Sequence, residues 1–130
     1  MKIETVLTMF PRTTAEQWGQ HSNGGGWVAQ TARVLATAYV GPDALISGNA
    51  QVYGKAQVYD DARVYDDAQV SGYARVYGYA QVFGYAQVSG NAWVSGNARV
   101  SGYARVSGKA QVSGDARVSG NVRVFKPVFE

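Results

Sequence analysis

From Gly26 to Pro127 small or branched apolar residues return with a period of six. From Ala44 onward the chain reads ALISGN, AQVYGK, AQVYDD, ARVYDD, AQVSGY, ARVYGY, AQVFGY, AQVSGN, AWVSGN, ARVSGY, ARVSGK, AQVSGD, ARVSGN, VRVFKP. Three looser copies, GWVAQT, ARVLAT and AYVGPD, precede these, which makes seventeen consecutive hexads with no insertion. Positions 1 and 3 of each hexad are mostly Ala and Val, and two residues spaced by two point to the same side of a strand. Positions 2 and 4 face the other way and are mostly Gln or Arg, then Ser, Tyr or Phe. Positions 5 and 6 are usually Gly or Asp followed by a polar residue or Tyr. Gly takes a positive φ without strain, and Asp tolerates one better than most residues. Each hexad therefore predicts a short strand and a bend. A chain that bends every six residues, apolar side inward, closes into a coil whose walls pair in parallel about 4.8 Å apart.

Composition explains the narrowness of that coil. The chain has 130 residues, of which 18 are Ala, 19 Val and 16 Gly, while Leu and Ile together number five. A helical bundle needs bulky unbranched core residues, so this composition argues against one. Small Ala and medium Val suit an interior too narrow for Leu or Phe at every level. There is no Cys, which excludes disulfides, thiolate chemistry and Cys-based zinc sites, and His21 is the only His. No apolar run approaches the roughly 18 residues of a membrane span. With no signal-peptide pattern either, a cytoplasmic location is expected. Net charge is +3, unevenly spread: Ala38–Asp67 carries −3 (Lys55 and Arg63 against five Asp), and Ala98–Glu130 carries +4 (six basic residues against Asp115 and Glu130). Such polarity orients encounters.

The hexads, with an aliphatic residue every six and a small residue two before it, resemble the hexapeptide-repeat, left-handed parallel β-helix family. The run Gly24-Gly25-Gly26-Trp27-Val28, leading into Ala/Val hexads with Ser-Gly-Asn turns, resembles more narrowly the YdcK-like hexapeptide proteins of bacteria and phages. The resemblance implies an all-β, left-handed parallel β-helix of about six triangular coils, three hexads per coil, with a short N-terminal capping segment. It also implies a phage or prophage source and assembly as a homo-oligomer. Residues 1–25 are read as an N-terminal cap or docking segment, and residues 26–130 as the β-helix.

Three hexads per coil place residues 18 apart above one another. Face one comprises the hexads starting at Gly26, Ala44, Ala62, Ala80, Ala98 and Ala116, and face three those starting at Ala38, Ala56, Ala74, Ala92 and Ala110. The larger outward residues of face one are Trp27, Leu45, Tyr65 and Phe83; those of face three are Tyr39, Tyr59, Tyr77 and Trp93. Face two shows Leu35 and Tyr53, then polar residues until Phe125. A contiguous exposed aromatic band marks an interface. Equally, it can simply stabilise parallel strands by stacking.

Candidate chemistry is sparse. Acyl transfer in the families resembled uses a His base and an extended loop, yet no hexad contains His and no loop interrupts the hexads. His21 precedes the first hexad and reads as a solvated linker residue. Asp60-Asp61 and Asp66-Asp67 lie on successive corners, too far apart for one site. Asp43 with Asp60 and Asp61 could hold a cation between oxygens, although a solvated corner accounts for them as well. Arg99 over Arg117 and Arg105 over Arg123 could meet phosphates or form a solubilising wall; nucleic acid is the weaker reading. The Gly24–Gly26 run lacks the Lys-Ser/Thr of a phosphate loop and reads as a close entry into the first coil. Lys2–Phe10 reads as a strand, and Thr13 or Thr14 as the cap of a short helix with Trp18 as its anchor. Pro127 cannot donate to a ladder and is expected to end the β-helix.

The functional expectation is a non-catalytic, rigid β-helix that self-associates or binds a protein partner through Tyr39, Tyr59, Tyr77, Trp93, Trp27, Tyr65 and Phe83. No cofactor, metal or membrane is expected. The alternative is an acyltransferase-like enzyme with a degenerate site.

Overall fold

A computed structural model describes residues 1–126 and 128–129. Each hexad forms a strand of two or three residues, as at Gln57–Val58, Arg75–Val76 and Trp93–Val94, and the next bend follows at once. The bend is a tight turn: the Ala80 N–H donates to the Tyr77 carbonyl at 3.3 Å, with Gly78 at φ 68° between them. Strands eighteen residues apart pair in parallel, Gln57 beside Arg75 and Arg75 beside Trp93. Three sheets result, one per wall, and the chain visits them in rotation. Seventeen hexads at three per turn make five complete turns and two walls of another, close to the six or so coils expected.

Backbone bonds run between coils at the corners as well as along the walls. At one level Gln57, Tyr59 and Asp61 donate to the carbonyls of Ala74, Val76 and Gly78 above them, at 2.9, 3.0 and 2.9 Å. Inside, Ala and Val alternate. Every inward Ala and Val from Ala38 to Val112 is fully buried, and no polar residue is buried with them among the described residues. Burying a Val side chain stabilises by about 1.5–3 kcal/mol, so stability here comes from many equal contributions and not from a few large anchors.

Asp60 and Asp66 stand where other corners have Gly, at φ 57° and 59°. Each carboxylate accepts the backbone N–H of the Gly one coil above, Gly78 or Gly84, at 3.1 Å. The acceptor offsets the left-handed backbone, which costs a residue with a Cβ about 1–2 kcal/mol. Asp60→Ala loses the acceptor and keeps the strain, so it should destabilise by about 1–2 kcal/mol in urea unfolding. Asp60→Gly should lose less than half of that; equal losses would show that the backbone angle is not what selects the residue.

The N-terminal segment departs from expectation. Lys2–Phe10 is not a strand; α1 spans Ile3–Met9. Ile3, Val6, Leu7 and Phe10 recur at i, i+3, i+4 and i+7, the spacing of one helix face. Val6 is fully buried with Leu45 and Trp18, and Trp27, Leu7 and Phe10 pack around them. Helix α1 thus lies on the outside of face one. A 3-10 turn follows at Ala15–Gln17, where Thr14 donates its N–H to Gln17 Oε1 at 2.8 Å. Trp18 is buried against Phe10, with ring centroids 5.0 Å apart, and its indole N–H reaches Thr13 Oγ1 at 3.0 Å. Strand β1 (Trp18–Gln20) then pairs antiparallel with β2 (Trp27–Ala29) and covers the first edge of sheet one.

At the other end Pro127 lies outside the described residues, but pairing does not stop there. Val128–Phe129 continues the sheet of face three, Val128 beside Val112 and Phe129 beside Ser113. The offset is sixteen residues instead of eighteen. Val122 takes an Ala position but is 50% exposed. No helix among the described residues is long and apolar enough to cross a membrane.

Candidate functional site

Face three carries the longest aromatic ladder. Parallel register sets the second-position residues Tyr39, Gln57, Arg75, Trp93 and Gln111 in one column. The fourth-position residues Gly41, Tyr59, Tyr77, Ser95 and Ser113 follow two places along the same hexads. Tyr39 meets Tyr59 edge-on at 6.5 Å between centroids, Tyr59 stacks on Tyr77 at 5.1 Å and 3°, and Tyr77 meets Trp93 edge-on at 6.4 Å. The Arg75 guanidinium lies 5.4 Å from the Trp93 ring. The tyrosines are half-buried against one another, and Trp93 is 38% exposed at the upper end.

The face-one aromatics divide into two groups. Trp27 is held under α1, its indole N–H on the Met1 carbonyl at 2.8 Å, and Leu45 is 2% exposed beneath the same helix. Tyr65 and Phe83 lie beyond the helix, stacked at 4.9 Å and 1°, and the Tyr65 hydroxyl donates to Gln81 Oε1 at 3.0 Å. The expected band across faces one and three is therefore one ladder on face three and a separate stacked pair on face one.

Four further tyrosines lie outside the expected band. Tyr73, Tyr79, Tyr85 and Tyr103 occupy sixth positions, and all are exposed, Tyr79 by 66%. Tyr85 stacks on Tyr103 at 5.1 Å. The signal in the sequence is a large aromatic in a slot that otherwise holds Asn, Asp, Lys, Thr or, once, Pro.

His21, Asp43 and Asp60 are engaged in holding the scaffold. His21 is half-buried, not a solvated linker residue: its Nε2 lies 2.8 Å from the Ala38 carbonyl, and its backbone N–H bonds Gly26. Asp43 Oδ1 lies 2.9 Å from the Met1 ammonium. Asp60 is turned to Gly78, so Asp43, Asp60 and Asp61 do not converge, and no group of three or more metal-ligating side chains occurs among the described residues. Arg99 and Arg117 are neighbours in register, as are Arg105 and Arg123, and all four are exposed. A concavity of about 550 Å³ opens at the N-terminal mouth, where Val28, Ala32 and Val34 lie below Trp18 and His21. Gly24 and Gly26 pack directly on Val40, whose backbone bonds Asn23 and Gly26. That contact is the close entry into the first coil.

Burial pushes the Tyr59 and Tyr65 hydroxyls above their ordinary value near 10.0, with Arg75 pulling Tyr59 partly back and Asp66 adding to the rise at Tyr65. A raised folded value means the folded state holds its proton longer than the unfolded chain. The associated stability is complete below about pH 10 and is lost as pH climbs through the raised values. Urea midpoints should thus fall as pH rises above about 10 and through the raised values. Tyr59→Phe with Tyr65→Phe should flatten that fall; an unchanged slope would place the titration elsewhere.

The wall, corner and interior together define a three-sided parallel β-solenoid built from hexapeptide repeats. The family model described as the YdcK beta solenoid repeat matches residues 56–72, 92–108 and 110–125, so the chain is a repeat β-solenoid similar to the YdcK type. No curated protein and no solved structure matches it significantly.

Proposed function

We propose that the protein is a non-catalytic, rigid structural or binding module that engages a protein surface through face three. The observation that carries this reading is the unbroken ladder from Tyr39 through Tyr59 and Tyr77 to Trp93 on a flat wall. None of these four rings belongs to the cluster that α1 builds on face one. Aromatic residues on a stiff platform supply large contact area at little cost in conformational entropy. The non-catalytic part is supported by the partners of the polar groups: His21 Nε2 is on a backbone carbonyl, and the Asp60 and Asp66 carboxylates are on backbone N–H groups.

Two measurements test it. Titration with an acyl-CoA in a calorimeter should give no stoichiometric heat; one-to-one binding would favour an enzyme. Tagged wild-type chain and the Tyr77→Ser/Trp93→Ser variant should be purified from the native host in parallel. Proteins retained by the first and lost by the second support face three; identical sets, together with an unchanged mass of the variant by light scattering, refute it.

A further inference from the structure

Face three is bounded by two corner columns that match each other level by level. On the side where the chain enters stand Thr37, Lys55, Tyr73, Asn91 and Lys109; on the side where it leaves stand Asp43, Asp61, Tyr79, Asn97 and Asp115. Each residue of the first column and its counterpart in the second flank one hexad. The levels therefore read Thr with Asp, Lys with Asp, Tyr with Tyr, Asn with Asn, and Lys with Asp. All ten side chains are exposed. The columns are held upright by the corner bonds, with Lys55 donating to Gly72 and Asp61 to Gly78 at 2.8 and 2.9 Å. Among the described residues, Lys55, Asp61, Lys109 and Asp115 make no ion pair within their own chain.

These two edges cannot meet within one molecule, because the wall separates them. They do meet if a second copy is laid on face three with its axis parallel, related by a two-fold along the solenoid. That operation brings the entering edge of one copy to the leaving edge of the other at the same height. We propose that the protein forms this symmetric dimer, face three on face three, with Lys55 on the second copy's Asp61 and Lys109 on the second copy's Asp115, each pair made twice. This proposal rests on the reading of face three as the binding face, and it names the occupant.

The interior of the same contact agrees in size as well as charge. The two-fold sets each second-position side chain over the fourth-position side chain of the same level. Trp93 then lies over Ser95, and Tyr39 over Gly41, large on small at both ends. Arg75 falls on Tyr77, a cation on an aromatic ring. An apolar centre with a polar, charge-matched rim is the anatomy of a specific interface. Other arrangements lose the match. An antiparallel pairing of face three would set Asp43 against Asp115 and Lys55 against Asn91. A parallel pairing of face one would oppose Asp61 and Asp67, and α1 already occupies part of that wall.

Charge reversal tests the pairing without touching the core. At low salt the wild type should have twice the 13.9 kDa chain mass by light scattering, and the dimer should weaken as salt screens the rim. Lys55→Glu/Lys109→Glu sets acid against acid at both rims, and Asp61→Lys/Asp115→Lys sets base against base. Each variant alone should dissociate at least tenfold more readily. Mixed one to one, the two should recover a heterodimer with every rim pair complementary, which also shows that both are folded. A monomeric or trimeric wild type, a dimer indifferent to reversal, or a mixture that stays monomeric would each overturn the proposal. None of these outcomes decides the calorimetric and co-purification tests above, which stand or fall on other partners.

Discussion

Val76→Asp should abolish the folded solenoid or lower its unfolding free energy by more than about 4 kcal/mol. Val76 is fully buried and lies in register between Val58 below and Val94 above. A carboxylate there would face only Ala and Val, with no buried polar residue among the described residues to receive it. An unpaired buried charge is among the costliest single changes. The geometry adds to the cost, because each coil contacts only its neighbours and a broken level in the middle divides the stack. The control is Val122→Asp, at a position 50% exposed, which should stay within about 1 kcal/mol of the wild type. Urea unfolding followed by circular dichroism measures both. Similar midpoints for the two variants would mean that the interior does not carry the stability.

The second large effect is expected at the entry to the first coil. Gly26 is buried and donates its N–H to the Val40 carbonyl at 2.9 Å. A Cβ on Gly26 would collide with Val40 Cγ1 and the Gly41 carbonyl oxygen. Neither the backbone oxygen nor a packed Val can retreat cheaply, and overpacking of this kind costs about 1–3 kcal/mol or more. Gly26→Ala should therefore lower the urea midpoint and expose residues 1–25 to limited proteolysis. Gly19→Ala is the comparison, since Gly19 has no neighbour within 4 Å of the added atom. If both variants resist protease equally, the close approach of Gly26 to Val40 is not what docks the N-terminal segment.

The period of six made the solenoid legible, because inward Ala and Val, outward polar residues and Gly corners are all local properties of a hexad. Its residues also placed the ladder, since an eighteen-residue coil stacks Tyr59 on Tyr77 whatever the finer geometry. The same locality hid other things. Lys2–Phe10 is short enough to suit a strand as well as a helix. The helical spacing of Ile3, Val6, Leu7 and Phe10 gains its meaning only when Leu45 and Trp27 offer an apolar patch to cover. Trp27 and Leu45 consequently looked like part of an open band, although a distant segment folds back over them. The corner tyrosines are hard to see in sequence because a turn position signals its backbone chemistry, whereas Tyr73 and Tyr79 matter as exposed surface. His21 looked free because its acceptor, the Ala38 carbonyl, is seventeen residues away in sequence.

The uninterrupted hexads also give the molecule a phase. Inside, all three walls are interchangeable, since each presents Ala and Val. Outside they are not: charge, rings and bare polar residues are distributed by wall. Removing one hexad, Ala80–Tyr85, should leave every later inward residue inward and the melting temperature little changed. It would nevertheless turn all later surface columns by one wall and part the lower half of face three from its upper half. Only a deletion of eighteen residues would restore the alignment. The interior thus counts in sixes and the surface in eighteens, so a change of length can be silent to folding and still rewrite what the protein shows to its surroundings.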